Sequence, residues 1–324
     1  CPSRRLGDVY RGPPLPAGAD AIVVREATQP VSREGLDAVQ IRFAAPRHHH
    51  VRRRAADLEA GATIVEAGRR LHAGALGLLA SQGVDRLAVR RAARVRILAT
   101  GDELIPLGTP LKPGQRYDSN GPMLLAMCAE VGARAAVVPT EGDDLEALTS
   151  AVAHAIADSD VLITTGGVSV GDHDHTRAAF EAAGATLEFW KIAINPGKPL
   201  VFGRTKTGGF VVGLPGNPVS AFATFHAFVR PLLRALEGDA APYPPVLRAK
   251  LAGPTKHRPG RLELARVRVH AGRAVLHPHP GSGALRSPGR ADGPAVPPAH
   301  AGARDARPRL ARSRRDVCPR TPQL

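Results

Sequence analysis

Asp160-Val161-Leu162-Ile163-Thr164-Thr165-Gly166-Gly167 decides the architecture. The run is apolar, mostly β-branched and too short for a helix, and two glycines stop it, so it reads as a buried strand delivering the chain into a loop. Upstream, Arg94-Val-Arg-Ile-Leu-Ala-Thr100 has the same character and runs into Gly101-Asp102-Glu103. Between these two strands the spacing predicts a helix over 122–131, opened by Ser119 or Asn120, a strand over 135–139, and a helix over 143–157 with acidic residues in its first turn. Beyond them it predicts a helix over 176–183, strands over 200–202 and 210–213, and one long helix over 217–236. Strands alternating with helices imply an α/β fold, a doubly wound and mostly parallel sheet.

The flanks are less regular. Leu15 to Val24 reads as a Pro/Gly turn feeding a strand, and residues 57–89 as short strands with one helix over 73–82 that stops at Gly83. Pro242-Tyr243-Pro244-Pro245 marks a linker, after which 262–269 alternates as a half-buried strand and 274–276 returns beside it. After Ser287 prolines interrupt every possible element and arginines crowd 304–315. The expected organisation is a partial, mixed β-rich N-terminal region (1–93), the α/β domain (94–240), a small C-terminal β domain (241–293) and a disordered or mistranslated tail (294–324). The chain begins with Cys1 and carries no signal peptide, so it reads as a fragment lacking its start.

Composition excludes several classes. Hydrophobic residues make up 43% and charged residues 23% of 324, as in soluble globular proteins, and no apolar run approaches the roughly 20 residues of a membrane span. Three distant cysteines form neither a zinc knuckle nor a disulfide framework and fit a cytoplasmic setting. The net charge is +15, yet aromatic residues are only 4%, too few for single-strand stacking platforms, so nucleic acid is not the expected partner. His48-His49-His50 are adjacent and point to different faces on an extended chain, against a shared metal.

The strand-end loops carry the chemistry. Gly166-Gly167-Val168-Ser169-Val170-Gly171-Asp172 lets backbone N–H groups approach an anion at the carboxyl end of a parallel strand. Glu103, Asp143, Asp172 and Asp174 could join that edge, and clustered carboxylates in so basic a chain suit magnesium, which neutralises phosphate. Lys191-Ile-Ala-Ile-Asn-Pro-Gly-Lys198 offers two compact cations on a rigid turn, and Leu214-Pro215-Gly216-Asn217-Pro218-Val219-Ser220 opens a helix whose free N–H groups favour an anion. No nucleophile–base pair stands out, so the site reads as one that binds and orients anions rather than forming an acyl intermediate.

Thr-Gly-Asp-Glu-Leu (100–104), Tyr-Asp-Ser-Asn (117–120), Thr-Thr-Gly-Gly-Val-Ser-Val-Gly-Asp (164–172), Pro-Gly-Lys-Pro (196–199) and Gly-Leu-Pro-Gly-Asn-Pro-Val-Ser (213–220) occur in that order. In this the chain resembles the molybdopterin molybdenumtransferases, the family of MoeA and the gephyrin E domain. The resemblance implies insertion of molybdate into adenylylated molybdopterin with release of AMP, with Mg2+, by a homodimer that contacts the adenylyltransferase and molybdoenzymes. It implies functional roles for Asp57, Glu103, Asp143, Asp174, Lys191 and Lys198, with Glu103 and Asp174 as metal ligands. Gly166, Gly167, Ser169, Pro215, Asn217, Pro218 and Ser220 would line the pterin pocket. Three departures stand out: Asn195 replaces a usual basic residue, Arg11-Gly12-Pro13 replaces a Thr-Gly-Ala type segment, and an aspartate-bearing family segment would lie before Cys1.

Other readings remain open at this point. A remnant of the family would bind molybdopterin or a partner protein without turnover. The related adenylyltransferase would share the middle domain and consume ATP. Nucleic-acid binding would weaken steeply with salt.

Overall fold

The computed structural model describes residues 15–53, 55–139, 144–167, 175–252, 261–277, 291, 293–296 and 309–311. The chain divides into two compact units, Cys1–Ile64 and Val65–Leu324.

Among the described residues of the first unit the strands form an antiparallel hairpin, β1 (Thr28–Arg33) with β2 (Leu36–Ile41). Its two-residue turn, Glu34-Gly35, has both φ angles positive (55° and 78°), the backbone that matches the twist of tight hairpins. The expected strand over 21–24 does not form. That stretch is irregular, held by Ile22 N–H donating to the His49 carbonyl and His48 N–H donating to Asp20, and a single 3-10 turn (Arg25–Ala27) follows it. The backbone of the histidine run is therefore spent on this crossing. Among the described residues no group of three or more His, Cys, Asp or Glu could hold a metal.

The second unit opens with α1 (Ala73–Ser81), and Gly83 (φ +77°) follows its end. The short strands expected over 57–89 are absent among the described residues there. Then come β3 (Arg94–Ala99), the two-residue pair β4 (Leu104–Ile105) and β5 (Arg116–Tyr117), α2 (Asn120–Val131), β6 (Arg134–Val138), α3 (Leu145–Ala157) and β7 (Val161–Thr165). Next are α4 (His175–Ala182), β8 (Thr186–Trp190), β9 (Ile194–Asn195), β10 (Val201–Arg204) and β11 (Phe210–Leu214). The sheet order is β6-β3-β7-β11-β10-β8. Its first four strands are parallel, and β10 runs against both neighbours, so five of the six strands point one way.

All five residues of β7 are buried, as its central place requires. Period-two alternation sends its side chains to opposite layers. Ile163, in register with Ile97 and Val212, joins Leu124, Met127, Cys128, Phe225, Val229 and Leu233 in one core. Leu162, opposite Val211, joins Leu148, Val152, Ala179 and Phe180 in the other. Helices thus cover both faces, and each such aliphatic side chain contributes about 1.5–3 kcal/mol of burial.

The expected single helix over 217–236 is divided. α5 (Pro218–Thr224) passes through a π turn (Phe225–Val229) into α6 (Arg230–Leu236). Pro231 supplies no N–H and its ring would clash with the carbonyl four residues back, so the ladder widens and Arg230 N–H reaches back five residues to Phe225. α2 is also capped otherwise than expected. Ser119 occupies the N-cap without a side-chain bond, and Asp118 Oδ1 accepts from the N–H groups of Asn120 and Gly121 instead.

A second six-stranded sheet follows the linker, in the order β12 (Val246–Arg248), β18 (Arg309–Ala311), β17 (Gly293–Val296), β15 (Ala265–His270), β16 (Arg273–Leu276), β13 (Lys250–Ala252). A two-residue strand, β14 (Leu262–Glu263), precedes β15. Regular structure thus extends past Ser287, where the sequence reading expected none; β17 includes Pro294 and pairs on both sides.

Candidate functional site at the carboxyl edge of the sheet

The parallel strands β3, β7 and β11 end side by side, and their following loops interlock. Thr100 N–H donates to the Thr165 carbonyl at 2.9 Å. Gly166 (φ +93°) lies so close to β3 that a Cβ there would sit 2.2 Å from the Thr100 carbonyl oxygen, and one on Gly167 (φ +62°) would sit 2.5 Å from Thr176 Oγ1. These two glycines are demanded by packing as well as by conformation. A Cβ on Gly216 would in turn be 3.1 Å from the Gly166 Cα, so the loops after β7 and β11 touch.

Asn120 pins this junction. Its amide nitrogen donates to Thr165 Oγ1 at 2.7 Å and to the Gly216 carbonyl at 2.8 Å, and the side chain is buried. Thr165 Oγ1 also contacts the buried Pro215 through its carbonyl at 3.4 Å. Among the described residues the buried Asn120 Oδ1, Thr100 Oγ1 and Thr164 Oγ1 atoms have no hydrogen-bond partner. From sequence Asn120 reads as a helix cap and as the end of the Tyr-Asp-Ser-Asn motif; its role as a clamp between loops depends on distant residues.

Asn217 caps α5, its Oδ1 accepting from Val219 N–H at 3.1 Å with Pro218 in the first turn, and Ser220 is buried one turn in. The helix start lies on the same edge as the glycine loop, because Pro215 and Gly216 connect it directly to the end of β11. Pro218 has no N–H, and the Val219 and Ala221 N–H groups are taken by the Asn217 side chain and carbonyl, which leaves the Ser220 N–H as the donor of this first turn.

Lys191 and Lys198 share one tight hairpin. Lys191 N–H donates to Leu200 at 3.0 Å and Ile192 N–H to the Lys198 carbonyl at 2.9 Å. Gly197 (φ +117°) packs on α5, where a Cβ would meet Thr224 Cγ2 at 2.4 Å. On its other side the hairpin pairs through β9 with β14 in parallel, and Leu264 N–H donates to Asn195 at 2.8 Å. Asn195 and Lys198 are exposed.

Glu103 sits in the loop after β3, its side chain 43% exposed and its carboxylate in an ion pair with Arg116 at 3.7 Å, longer than a hydrogen bond. Asp57 belongs to the first unit, where it pairs with Arg52. Asp143, Ser169, Asp172 and Asp174 lie outside the described residues.

A cavity of about 500 Å³ opens at the opposite edge of the sheet, among Arg90, Arg91, Arg94, Ile156, Asp160 and Leu236. It is remote from the strand ends where such sheets bind ligands. Its carboxylate is already engaged: Asp160 takes two bonds from Arg91 and one from the Arg94 N–H, and these hold it down at about pKa 2.

A glycine loop, a capped helix start and a lysine hairpin thus meet on one edge of a doubly wound α/β sheet. Residues 96–235 match a family described as "Probable molybdopterin binding domain", residues 5–83 the "MoeA N-terminal region (domain I and II)" and residues 248–305 the "MoeA C-terminal region (domain IV)". The chain is 39% identical over 287 residues to Molybdopterin molybdenumtransferase 2 of Mycobacterium tuberculosis, covering 86% of this chain and 69% of that protein. It is 35% identical to the Molybdopterin molybdenumtransferase of Haemophilus influenzae, covering 82% of this chain and 65% of the relative. Among solved structures, a molybdopterin biosynthesis MoeA protein from Pyrococcus horikosii superposes with a TM-score of 0.73 at 30% identity, covering 93% of this chain and 73% of that one. The chain belongs to the molybdopterin molybdenumtransferase family.

Proposed function

We propose that the chain inserts molybdate into adenylylated molybdopterin and releases AMP, as an enzyme of molybdenum cofactor biosynthesis. Family membership supports the activity, and the observation that carries it is the meeting of three anion-directed features on one edge. These are the Gly166-Gly167 loop, the α5 start behind Pro215 and Pro218, and the hairpin bearing Lys191 and Lys198. In this reading the backbone of the glycine loop and the Ser220 N–H at the start of α5 orient the pterin phosphates, and Ser169, Asn217 and Ser220 are assigned to the pterin pocket. Lys191 and Lys198 hold molybdate next to the pterin, so that bringing the reactants together supplies much of the rate. Glu103 and Asp174 would hold magnesium, which takes one or two carboxylates and keeps its waters. When bound, magnesium neutralises phosphate charge. In this reading Asp143 is a further acidic residue of the second unit, and Asp57 is the functional carboxylate of the first. The 94–240 segment would carry the pterin, within a cytoplasmic homodimer that passes its product to molybdoenzymes.

The test is AMP release from adenylylated molybdopterin, with and without molybdate, with pterin binding scored in the same samples. Release that requires both molybdate and magnesium, and that falls at least tenfold in Lys198→Ala, is the expected result. Pterin binding without release would refute the transferase reading.

A further inference from the structure

The Lys191 ammonium does not project into open solvent. Its Nζ lies 3.5 Å from the centroid of the Trp190 ring, and the Arg177 guanidinium lies 5.0 Å from the same centroid. Trp190 ends β8, and the chain turns at once through Lys191, whose φ of +64° is uncommon for a side-chain-bearing residue. Lys191 N–H bonds Leu200 across the hairpin, so backbone and side chain are both held. An aromatic face attracts a cation electrostatically, most strongly for tryptophan, and at this distance the contact is intimate.

Resting on the reading of Lys191 as an oxyanion-holding residue, we propose that Trp190 is a positioning residue: its ring keeps the Lys191 ammonium on station and yields it when an oxyanion binds. Arg177, tied to Glu181 at 3.2 Å, sets a second cation beside the same ring. That second charge weakens the ring's hold on Lys191 by repulsion and makes the ammonium easier to release. The hairpin thereby presents Lys191 already ordered, so less conformational freedom is lost when the anion arrives.

The sequence contains one tryptophan, so emission excited selectively at tryptophan, beyond the absorption of the three tyrosines, reports on this ring alone. The experiment records the emission of the full chain and of Lys191→Met, then titrates each with sodium molybdate. It also measures molybdate affinity by calorimetry in Trp190→Phe and Trp190→Leu, and molybdate-dependent AMP release in the wild type. Lys191→Met is expected to shift the emission, and molybdate to move the wild type toward the Lys191→Met spectrum while leaving that variant unmoved. Affinity should fall in the order Trp, Phe, Leu, by about three- to tenfold for leucine. Emission identical in wild type and Lys191→Met overturns the proposal. So does a molybdate-dependent enzyme whose emission ignores molybdate, or equal affinities in the three ring variants. Absence of both AMP release and molybdate binding would instead fell the functional reading and the proposal with it; a shifted Lys191→Met spectrum would then show that the ring contact itself is real.

Discussion

Asn120 donates its side-chain amide to Thr165 Oγ1 at 2.7 Å, which fastens the start of α2 to the last residue of the central strand. The same amide reaches the Gly216 carbonyl, so one side chain joins three of the elements that shape the edge. Replacing it by alanine strands buried acceptors, and Asn120→Ala should lose about 1–3 kcal/mol of stability. Urea unfolding of wild type and variant would read this; an unchanged midpoint would mean the clamp holds nothing.

Gly166 and Gly108 offer a matched pair. Both have φ near +90°, but a Cβ on Gly108 meets nothing within 4 Å whereas one on Gly166 strikes the Thr100 carbonyl. Gly108→Ala should cost about 1 kcal/mol, the backbone penalty alone. Gly166→Ala should cost clearly more and depress pterin binding, because the β3 and β7 loops must separate. Equal thermal shifts for the two variants would contradict the close approach.

His226 is buried in the π turn, and burial, then the charge of Arg230, pull its pKa down to about 3. The unfolded chain takes up this proton below its ordinary value near 6.5, while the fold refuses it until about 3. Stability tied to neutral His226 is therefore full above pH 6.5 and drains by a few kcal/mol as pH falls toward 3. His226→Leu should flatten that part of the stability–pH curve, as chemical unfolding at pH 7, 5.5 and 4.5 would show.

Asn195 lies on the lysine hairpin, exposed, between Lys191 and Lys198 in sequence. A third cation there would add attraction for a divalent oxyanion in a high-dielectric setting, on the order of 1 kcal/mol. Asn195→Lys should therefore lower the KM for molybdate about fivefold with little change in kcat. Steady-state kinetics with molybdate varied would decide it; a raised KM would place the anion elsewhere.

What could be read from sequence was what local chemistry dictates. The all-buried character of β7, the Asn217-Pro218 helix start and the two-glycine loop are written in neighbouring residues. What escaped depended on residues far apart or on weak turn signals. Glu34-Gly35 lacks the Asn-Gly or Asp-Gly signature, so the β1–β2 hairpin passed unnoticed. Pro231 was absorbed into a helical pattern although it forces the π turn. The capping by Asp118 displaced the expected Ser119, since an aspartate one residue earlier reaches two N–H groups at once. Trp190 was read as part of no site because its partner charges come from a different helix and from beyond the strand end.

The pairing of β9 with β14 bears on how this site could have been assembled and inherited. The α/β sheet is complete by Leu214, yet the hairpin that carries both lysines takes one of its two supports from residues 262–264, some 65 positions later. A chain cut after Leu236 would retain every strand of that sheet and every glycine of the loop while leaving the lysines on an arm braced by α5 alone. Exchanging the segment that carries β14 between relatives would thus alter one of the two supports under Lys191 and Lys198 without touching either lysine.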